Sequence, residues 1–381
     1  MSTATDARAA GAARPEPEPS PLIGEAPPSP AGPIDEAELA TLAAPPEVDL
    51  PRWLQVLRFN QRQIQFVFRA RRELGEVFRM DGVIAGRPAI TSHPDHVRSL
   101  FGAKPEEAPS LTGESPLRPI VGPSSVLTAV GPRHMRQRKL LLPPFHGEAI
   151  ARYQRMIEQA AEREIAAWPL KTPMRLAPRM QAITLDVIMG GIFGIEGKPR
   201  RGTPEHRLRQ ATRTIIDLST KPFAQVSELV NIGRTEAVGL QRLALDVLDR
   251  PTYEVIRQRR AATDVEERND ILSLLIRART EEGEALTDRE LRDELLTLVL
   301  AGHETTANQL AWAWERLVRA PAAHERLIAA VRDDAPDADA VIEATIQEAM
   351  RSRPVIPMIG RRVTVPWRLG DYGVPAGTPI S

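Results

Sequence analysis

The polar side chains of residues 301–306, with the sequence AGHETT, interrupt an apolar segment of the chain. Glu304 can give or take a proton, and Thr305 can bond the carbonyl of Ala301, four residues back, which loosens a helix locally. In a helix interior, Gly302 costs about 1 kcal/mol relative to alanine, and a buried carboxylate costs more. The pattern therefore indicates either a polar site that faces a bound molecule or a close crossing of two helices.

The segment around these residues is predicted to be one long buried helix. Thr287-Asp288-Arg289-Glu290 fits a capping box, in which the threonine hydroxyl and the glutamate carboxylate bind amides of the first turn. Pro321 marks the helix end about 32 residues later, or roughly 48 Å at 1.5 Å per residue. The stretch LLTLVLAG is apolar on all sides, as in a helix that is buried all round. A metalloprotease would need a second histidine where Ala307 stands, and we reject that interpretation.

Two other regions combine charged side chains with helical spacing. In GPRHMRQRK, Gly131-Pro132 predicts a helix start, and His134 and Arg138 follow at i,i+4 on one face. The alternatives for this segment are a solvated basic face and a weak nucleic-acid patch. In QEAMRSRP, Glu348 and Arg351 lie at i,i+3 on a helix predicted from about residue 337 to 353. The alternative there is an exposed ion pair worth roughly a few tenths of a kcal/mol.

The composition limits the chemistry that the chain can perform. Fifty basic and fifty acidic side chains cancel, which gives no broad electrostatic argument for nucleic acid or for an anionic membrane. The absence of cysteine excludes a disulfide framework, a zinc–thiolate site and a cysteine nucleophile within these residues. No apolar run approaches the ~18 residues of a membrane span, and the N-terminus lacks the apolar core of a signal peptide. We predict a soluble cytoplasmic protein with no membrane span and no nucleic-acid partner.

The remaining sequence predicts a mainly α fold with a small β part. Residues 1–50 are rich in proline, alanine and glutamate and are predicted to be a disordered tail, followed by one domain at residues 51–381. A strand pair is predicted in EVFRMDGVIAGRPAITS, and further strands in VIPMIGRRVTVPWRLGDYGVPAGTPIS. Between them the periodicity is helical, with Pro251 breaking or kinking one long helix. Both ends of the domain are therefore expected to contribute strands.

In their order along the chain, three of these motifs resemble motifs of the cytochrome P450 superfamily, the haem-thiolate monooxygenases: His134 with Arg138, AGHETT, and Glu348 with Arg351. The resemblance covers about residues 50–381, and KLLLPPFHGEAI is similar to bacterial members. It implies the P450 fold, haem b as cofactor, and hydroxylation or epoxidation of a hydrophobic organic substrate with dioxygen. Electrons would come from NAD(P)H through a separate ferredoxin or flavodoxin-type donor with its reductase.

The resemblance assigns the residues of AGHETT to oxygen chemistry. Ala301 and Gly302 would lie at the haem, where the glycine leaves room for dioxygen. Glu304 and Thr305 would be the acid and the alcohol that deliver protons through ordered water, so that the O–O bond breaks heterolytically. Substrate contacts are expected from the loop between about residues 102 and 130, from helices around 206–262 and from 298–301.

The other matching residues would hold the haem and the core. His134, Arg138 and Arg361 would bind the haem propionates, since a guanidinium group suits a carboxylate, and Arg362 is the alternative to Arg361. The Glu348 and Arg351 pair would tie its helix to the loop beneath the haem. Further basic residues of the His134 helix would face an acidic electron donor: Arg133, Arg136 and Lys139.

One feature departs from the family. The iron ligand of the family is a cysteine thiolate, and the chain contains no cysteine. We therefore expect a P450 fold that is incomplete at the C-terminus, truncated before its cysteine loop, with poor stability, little or no haem retention and no monooxygenase activity. The alternative is a catalytically inactive remnant or a helical binding protein. A thiolate-type spectrum of the reduced carbon monoxide complex would contradict this expectation.

Overall fold

The computed structural model describes residues 27–82, 86–145, 148–195, 197, 199–219, 230–231, 233–333 and 335–381. Helices dominate these residues and are arranged around one long central helix. In chain order they are α1 (Glu36–Leu39), α2 (Arg52–Leu74), α3 (Pro94–Gly102), α4 (Arg118–Val121), α5 (Gly131–Leu141), α6 (Glu148–Ile165), α7 (Leu176–Phe193), α8 (Pro204–Ser219), α9 (Gly239–Ala261), α10 (Ile271–Arg277), α11 (Asp288–Arg319), α12 (Pro321–Arg332) and α13 (Ala338–Ser352).

The strands of the described residues form two small sheets. They are β1 (Ala31–Pro33), β2 (Val77–Arg79), β3 (Ala89–Thr91), β4 (Arg361–Arg362), β5 (Trp367–Leu369), β6 (Tyr372–Val374) and β7 (Pro379–Ile380). One sheet has the order β1-β5-β6 and the other the order β2-β3-β7-β4, in which β3 and β7 are parallel. Each sheet joins strands from the two ends of the chain, so the predicted mainly α fold with a β part from both ends is confirmed.

The central helix is α11, and its residues 291–299 are largely buried. It begins at the predicted capping box, where the Glu290 amide donates to Thr287 Oγ1 at 3.2 Å and the Thr287 amide donates to Glu290 Oε2 at 2.9 Å. Every residue of 291–299 except Leu298 is buried. The helix ends at Arg319, as predicted from the proline that follows. The segment 291–299 of α11 therefore has almost no face exposed to solvent.

The ends of three helices meet at a buried ion pair between Arg259 of α9 and Asp270. Arg259 also donates to Ser273 Oγ of α10 at 2.6 Å and to the Phe193 carbonyl at the end of α7 at 2.8 Å. Asp270 is the N-cap of α10 and accepts from the Ser273 amide at 3.0 Å. Because the carboxylate and the guanidinium satisfy backbone groups as well as each other, this junction fixes how α7, α9 and α10 converge.

The prediction of a disordered tail is wrong for residues 27–50. Strand β1 pairs with β5, with Ala31 opposite Leu369, and a bridge joins Ala43 to Tyr372. Prolines do not prevent this arrangement, because β1 lies at the edge of its sheet, where strands tolerate proline. The rest of the predicted tail, residues 1–26, lies outside the described residues.

Pro251 does not break α9, which continues to Ala261. The helix is held across this position by the Thr252 hydroxyl, which donates to the Leu248 carbonyl at 2.7 Å. Of the two predicted alternatives, a break or a kink at Pro251, the break is therefore wrong.

Two buried histidines fasten the N-terminal segment to α3 and β3. His96 Nε2 lies 2.8 Å from Ser29 Oγ, and His96 Nδ1 lies 2.7 Å from Thr91 Oγ1. The His93 ring, with its centroid 4.8 Å from that of His96, binds the Pro27 carbonyl through Nε2 at 3.1 Å. Burial, assisted by the charge of His93 when protonated, lowers the pKa of His96 to about 4. The folded protein therefore holds His96 neutral.

Acidification should destabilise the fold through His96. Because the pKa is about 4 in the folded protein against an ordinary value of 6.5, the unfolded chain binds the proton first as the pH falls. Stability present above pH 6.5 is therefore lost between pH 6.5 and pH 4, by on the order of 3 kcal/mol. Urea unfolding of the wild type and His96→Gln across this range measures the loss, with His206→Gln as the control. The same pH dependence in His96→Gln as in the wild type would contradict this role.

Candidate functional site

The middle of α11 has one face packed against α7. At Gly302, an added Cβ atom would lie 3.0 Å from Ile188 Cδ1 of α7. On the same side His303 and Ala307 are buried. The lack of a side chain at Gly302 therefore lets the two helices approach closely, as the helix-crossing interpretation predicts for this residue.

His303 belongs to this helix crossing. Its Nε2 lies 3.1 Å from the Gln181 carbonyl, and its own carbonyl accepts from Thr184 Oγ1 at 3.1 Å. A carbonyl only accepts, so Nε2 carries the proton, and the buried Nδ1 has no partner in the described residues. Burial lowers the pKa of His303, opposed by the bond to Gln181. The neutral ring is a packing residue, although it stands beside Glu304 in the sequence.

The other face of α11 carries the acid and the alcohol. Ala301 is exposed, while Glu304 and Thr305 are half-buried. Thr305 Oγ1 donates to the Ala301 carbonyl, which is the local bond predicted from the spacing of four residues. The Glu304 carboxylate has no hydrogen bond or ion pair with the residues that the structure describes. A titratable group and a hydroxyl with free lone pairs are thus adjacent on an accessible surface.

The buried half of α11 holds the loop of residues 122–130, which joins α4 to α5. Asp293 Oδ2 accepts from the Ser124 amide at 3.1 Å, and Glu294 Oε1 accepts from the Val126 amide at 2.9 Å. Both carboxyl groups are buried, and burial is the main cause that raises the pKa of each, that of Glu294 to about 8. The sequence analysis missed these two residues. Their signal is a run of charged residues directly after the capping box, within an otherwise apolar helix.

His134 contacts the same loop from α5. Its Nδ1 lies 3.0 Å from the Val126 carbonyl, so Nδ1 carries a proton and Nε2 remains for another partner. Arg138, one turn later, is exposed and has no ion pair or side-chain hydrogen bond with the described residues. The loop therefore positions the helix that carries His134 and Arg138. The Arg138 guanidinium and Nε2 of His134 remain free in the described residues.

The other basic residues of α5 have partners within this chain. Arg136 donates to Glu290 Oε1 at 2.9 Å, and Lys139 donates to Glu281 Oε1 at 2.9 Å. Arg133 donates to Ser124 Oγ at 2.8 Å. An electron donor that used Arg136 or Lys139 would have to compete with these acids. Arg133 binds a hydroxyl instead of an acid, and Arg138 is without any side-chain partner in the described residues.

The two arginines of β4 differ in what they contact. The Arg361 guanidinium lies 5.4 Å from the centre of the Phe101 ring, and its buried Nε has no partner in the described residues. Arg362 forms an ion pair with Glu114 at 2.9 Å and donates to the Gly377 carbonyl at 2.9 Å. Arg361 thus keeps a donor to give, whereas the donors of Arg362 are engaged.

A short 3-10 turn at Leu111–Glu114 connects β4 with the loop before α5. The Leu111 amide donates to the Gly360 carbonyl at 3.2 Å. On the other side, a Cβ atom at Gly113 would lie 3.3 Å from Val130 Cγ1. The structure therefore brings the strand of Arg361 and the helix of His134 against the same turn.

Glu348 and Arg351 form a bidentate ion pair on α13, with N–O distances of 2.7 and 2.8 Å. Their side chains are 62% and 57% exposed, and α13 packs against α11. Their mutual charge lowers the pKa of Glu348 and raises that of Arg351. The pair does not contact His134, Arg361 or the polar face of α11. Within the described residues it has the geometry of an exposed ion pair.

The residues that the resemblance assigns to haem fit its propionates but do not provide its iron ligand. Arg138 and Arg361 keep free donors, which carboxylates require. Nε2 of His134 is free as well, and it donates to a carboxylate when the ring carries a second proton. By contrast, the chain has no cysteine, and the described residues contain no group of three or more His, Asp or Glu side chains placed to hold a metal ion.

Two solved structures with this fold are cytochromes P450. The cyanobacterial CYP120A1, solved with retinoic acid bound, has a TM-score of 0.71 and 20% identity, and the match covers 89% of this chain and 76% of that chain. The haem domain of cytochrome P450DA has a TM-score of 0.70 and 21% identity, with the same coverage of 89% and 76%. At these identities the likeness establishes the fold.

Sequence comparisons identify the family. Residues 44–381 match the family model described as Cytochrome P450. Two Mycobacterium tuberculosis proteins, named as cytochromes P450 135B1 and 137, are 31% and 34% identical over 347 and 349 residues. These matches cover 90% and 89% of this chain and 72% and 71% of the relatives. The chain therefore belongs to the cytochrome P450 superfamily. In the described residues, each helix is too short or too polar to cross a bilayer.

Gly122→Ala should displace the loop from α11. At Gly122, with φ +91°, an added Cβ would lie 2.3 Å from the Asp293 carboxyl group. Gly75 has a similar φ of +96° with nothing within 4 Å, so Gly75→Ala carries only the backbone strain of roughly 1–3 kcal/mol. We expect Gly122→Ala to lower the free energy of unfolding by about 2 kcal/mol more than Gly75→Ala, as measured in urea. Equal losses would show that Asp293 does not constrain the loop.

Proposed function

We propose that the protein is a haem-dependent monooxygenase that hydroxylates or epoxidises a hydrophobic organic substrate, using dioxygen and electrons from NAD(P)H. The observation that carries the proposal is the division of α11 into two faces. Gly302 and His303 close the helix against α7, whereas Glu304 and Thr305 remain on the accessible face. A purely structural helix crossing would explain the first face but not the second.

His134, Arg138 and Arg361 are the residues that we propose to hold the haem propionates. The two arginines keep donors without a partner in the described residues, and charge-assisted bonds to carboxylates are the strong ones. His134 would donate through Nε2 as an imidazolium, while Nδ1 stays bonded to the Val126 carbonyl. When bound, haem supplies the redox chemistry that activates dioxygen. The cysteine thiolate that the family uses for the iron is not among the 381 residues, so the proposed activity requires that ligand from outside them.

Glu304 and Thr305 are proposed to move the protons. The Thr305 hydroxyl donates its hydrogen bond to the Ala301 carbonyl. The lone pairs of Oγ1 are therefore free to accept a hydrogen bond from water or from a protonated ligand. The Glu304 carboxylate has no partner that fixes it in the described residues, and it can turn between bulk water and the site. Together they provide a path for protons from solvent to the accessible face of α11.

The electron donor is proposed to be a separate ferredoxin or flavodoxin-type protein with its reductase, in the cytoplasm. Arg133 supports an acidic partner, since it is exposed and its side chain donates to the Ser124 hydroxyl rather than to an acid. Arg136 and Lys139 support it less, because Glu290 and Glu281 already pair with them.

A second candidate function is favoured by the absence of cysteine. In it, the chain is a catalytically inactive P450 scaffold or a helical binding protein. The coding sequence that follows the Ser381 codon separates the two candidates. An in-frame segment with a cysteine loop would support the enzyme, and a stop codon at that point would support the scaffold.

Arg361→Gln should weaken haem binding. Loss of one charge-assisted hydrogen bond is worth roughly 1.5–3 kcal/mol, or about tenfold or more in Kd. Titration of the 381-residue chain with haemin, followed by quenching of tryptophan fluorescence, measures the Kd. The adjacent Arg362→Gln is the matched control, because Arg362 pairs with Glu114, and its Kd should stay within about twofold. A loss in Arg362→Gln alone would transfer the role to that residue, and no loss in either would contradict the propionate assignment.

Thr305→Ala should uncouple electron use from product formation. In a form of the protein that carries the cysteine ligand, the product formed per NADPH consumed should fall by about tenfold, since the proton path loses its hydroxyl. Thr306→Ala is the matched control, because Thr306 is exposed and adjacent in the chain. Product yield and peroxide release are measured together for both variants. Unchanged coupling in Thr305→Ala would contradict the proposed proton role.

A further inference from the structure

A single residue of the loop, Val126, is held by α11 on one side and by α5 on the other. Its amide donates to Glu294 Oε1 at 2.9 Å, and its carbonyl accepts from His134 Nδ1 at 3.0 Å. The two bonds use the two peptide groups of one residue. The orientation of the His134 ring therefore depends on where Glu294 holds the loop.

Glu294 is an unusual choice for this position. Its side chain is fully buried, and its Oε2 has no partner in the described residues. The charged groups that act on it are Asp293 and Glu290 of its own helix, which oppose a second negative charge, and Arg133 of α5, which favours one. Burial is the largest influence and raises the pKa of Glu294 to about 8. At neutral pH the carboxyl group is therefore protonated and neutral.

We propose that Glu294 is a positioning residue that holds Val126, and through it His134, only while its carboxyl group is protonated. An ionised Glu294 has one oxygen without a donor and two carboxyl groups nearby, so it requires water. A cleft of about 440 Å³ is lined by Gly122 and Asp293 but does not include Glu294, so water reaches this carboxyl group only when the loop moves away from α11. Loss of the proton therefore releases the loop of residues 122–130 from α11.

Ionisation of Glu294 could instead hold the loop more tightly, and the experiment must exclude this outcome. An ionised carboxylate is a stronger acceptor than a neutral acid, and it would tighten the bond to the Val126 amide. Release prevails because one such bond does not offset the burial of a charge whose second oxygen is unpaired. The part of the inference that concerns haem binding by His134 rests on the proposed function. The release of the loop from α11 can be measured without haem.

Hydrogen exchange of the 381-residue chain at pH 6 and pH 8 tests the proposal. Protection factors, corrected for the intrinsic pH dependence of exchange, are compared for peptides that cover residues 122–128. We expect protection of this loop to fall by about tenfold or more between the two pH values, because the open state binds the proton less tightly. Residues 250–258 of α9 serve as an internal reference and should keep their protection.

Glu294→Gln is the decisive variant, since the amide keeps an acceptor for Val126 and cannot ionise. Its loop protection should be the same at pH 6 and pH 8, while Glu236→Gln, an exposed acid paired with Arg289, should behave as the wild type. Unchanged or increased protection in the wild type at pH 8, or an equal fall in Glu294→Gln, would overturn the proposal.

A wild-type titration keeps the test valid if Glu294→Gln does not fold. A fall confined to the loop that proceeds as the pH rises and levels off above about pH 8 supports the proposal. A simultaneous fall in α9 overturns it as global unfolding. No haem is added in this experiment, so a negative result would not count against the monooxygenase proposal. The haemin titration tests that proposal separately.

Discussion

A helix segment that is buried needs partners for most of the polar groups that it carries, and this requirement on residues 291–299 of α11 organises the rest of the structure. Arg292 contacts Asp249 of α9 at 2.7 Å, while Asp293 and Glu294 bind the amides of the loop of residues 122–130. Apolar side chains alone would bury the helix equally well in several rotations. The polar groups allow one rotation, and with it they fix the loop, α5 and α9.

The polar residues of α11 have different roles before and after Val299. Its first half uses polar residues to hold neighbouring elements, whereas Glu304 and Thr305 have few or no partners in the described residues and face an accessible surface. His134 lies on a helix whose start is placed by the buried half, and Arg361 reaches the same loop through the turn at 111–114. The candidate haem-binding groups are thus positioned by residues that never contact the accessible face.

The sequence allowed local interactions to be predicted and left long-range ones open. The Thr305 bond to Ala301 follows from a spacing of four residues, and the capping box at Thr287 follows from a spacing of three. The contact of Gly302 with α7 could not be foreseen, because helical periodicity does not say which element covers which face. The role of Glu294 was missed for a similar reason, since its partner lies 168 residues away in the chain. The structure of residues 27–50 depends on β5, and local composition alone favours disorder there.

The parallel pairing of β3 with β7 has a consequence for synthesis on the ribosome. Ala89 lies opposite Ile380, and the Ser381 amide donates to the Ala89 carbonyl at 2.8 Å. At ~5–20 residues per second, β3 waits roughly 15–60 seconds for its partner to be translated. During that time an apolar strand edge is open to other nascent chains. Cellular yield is therefore expected to depend on chaperone capacity and translation speed more than on the strength of the helical core.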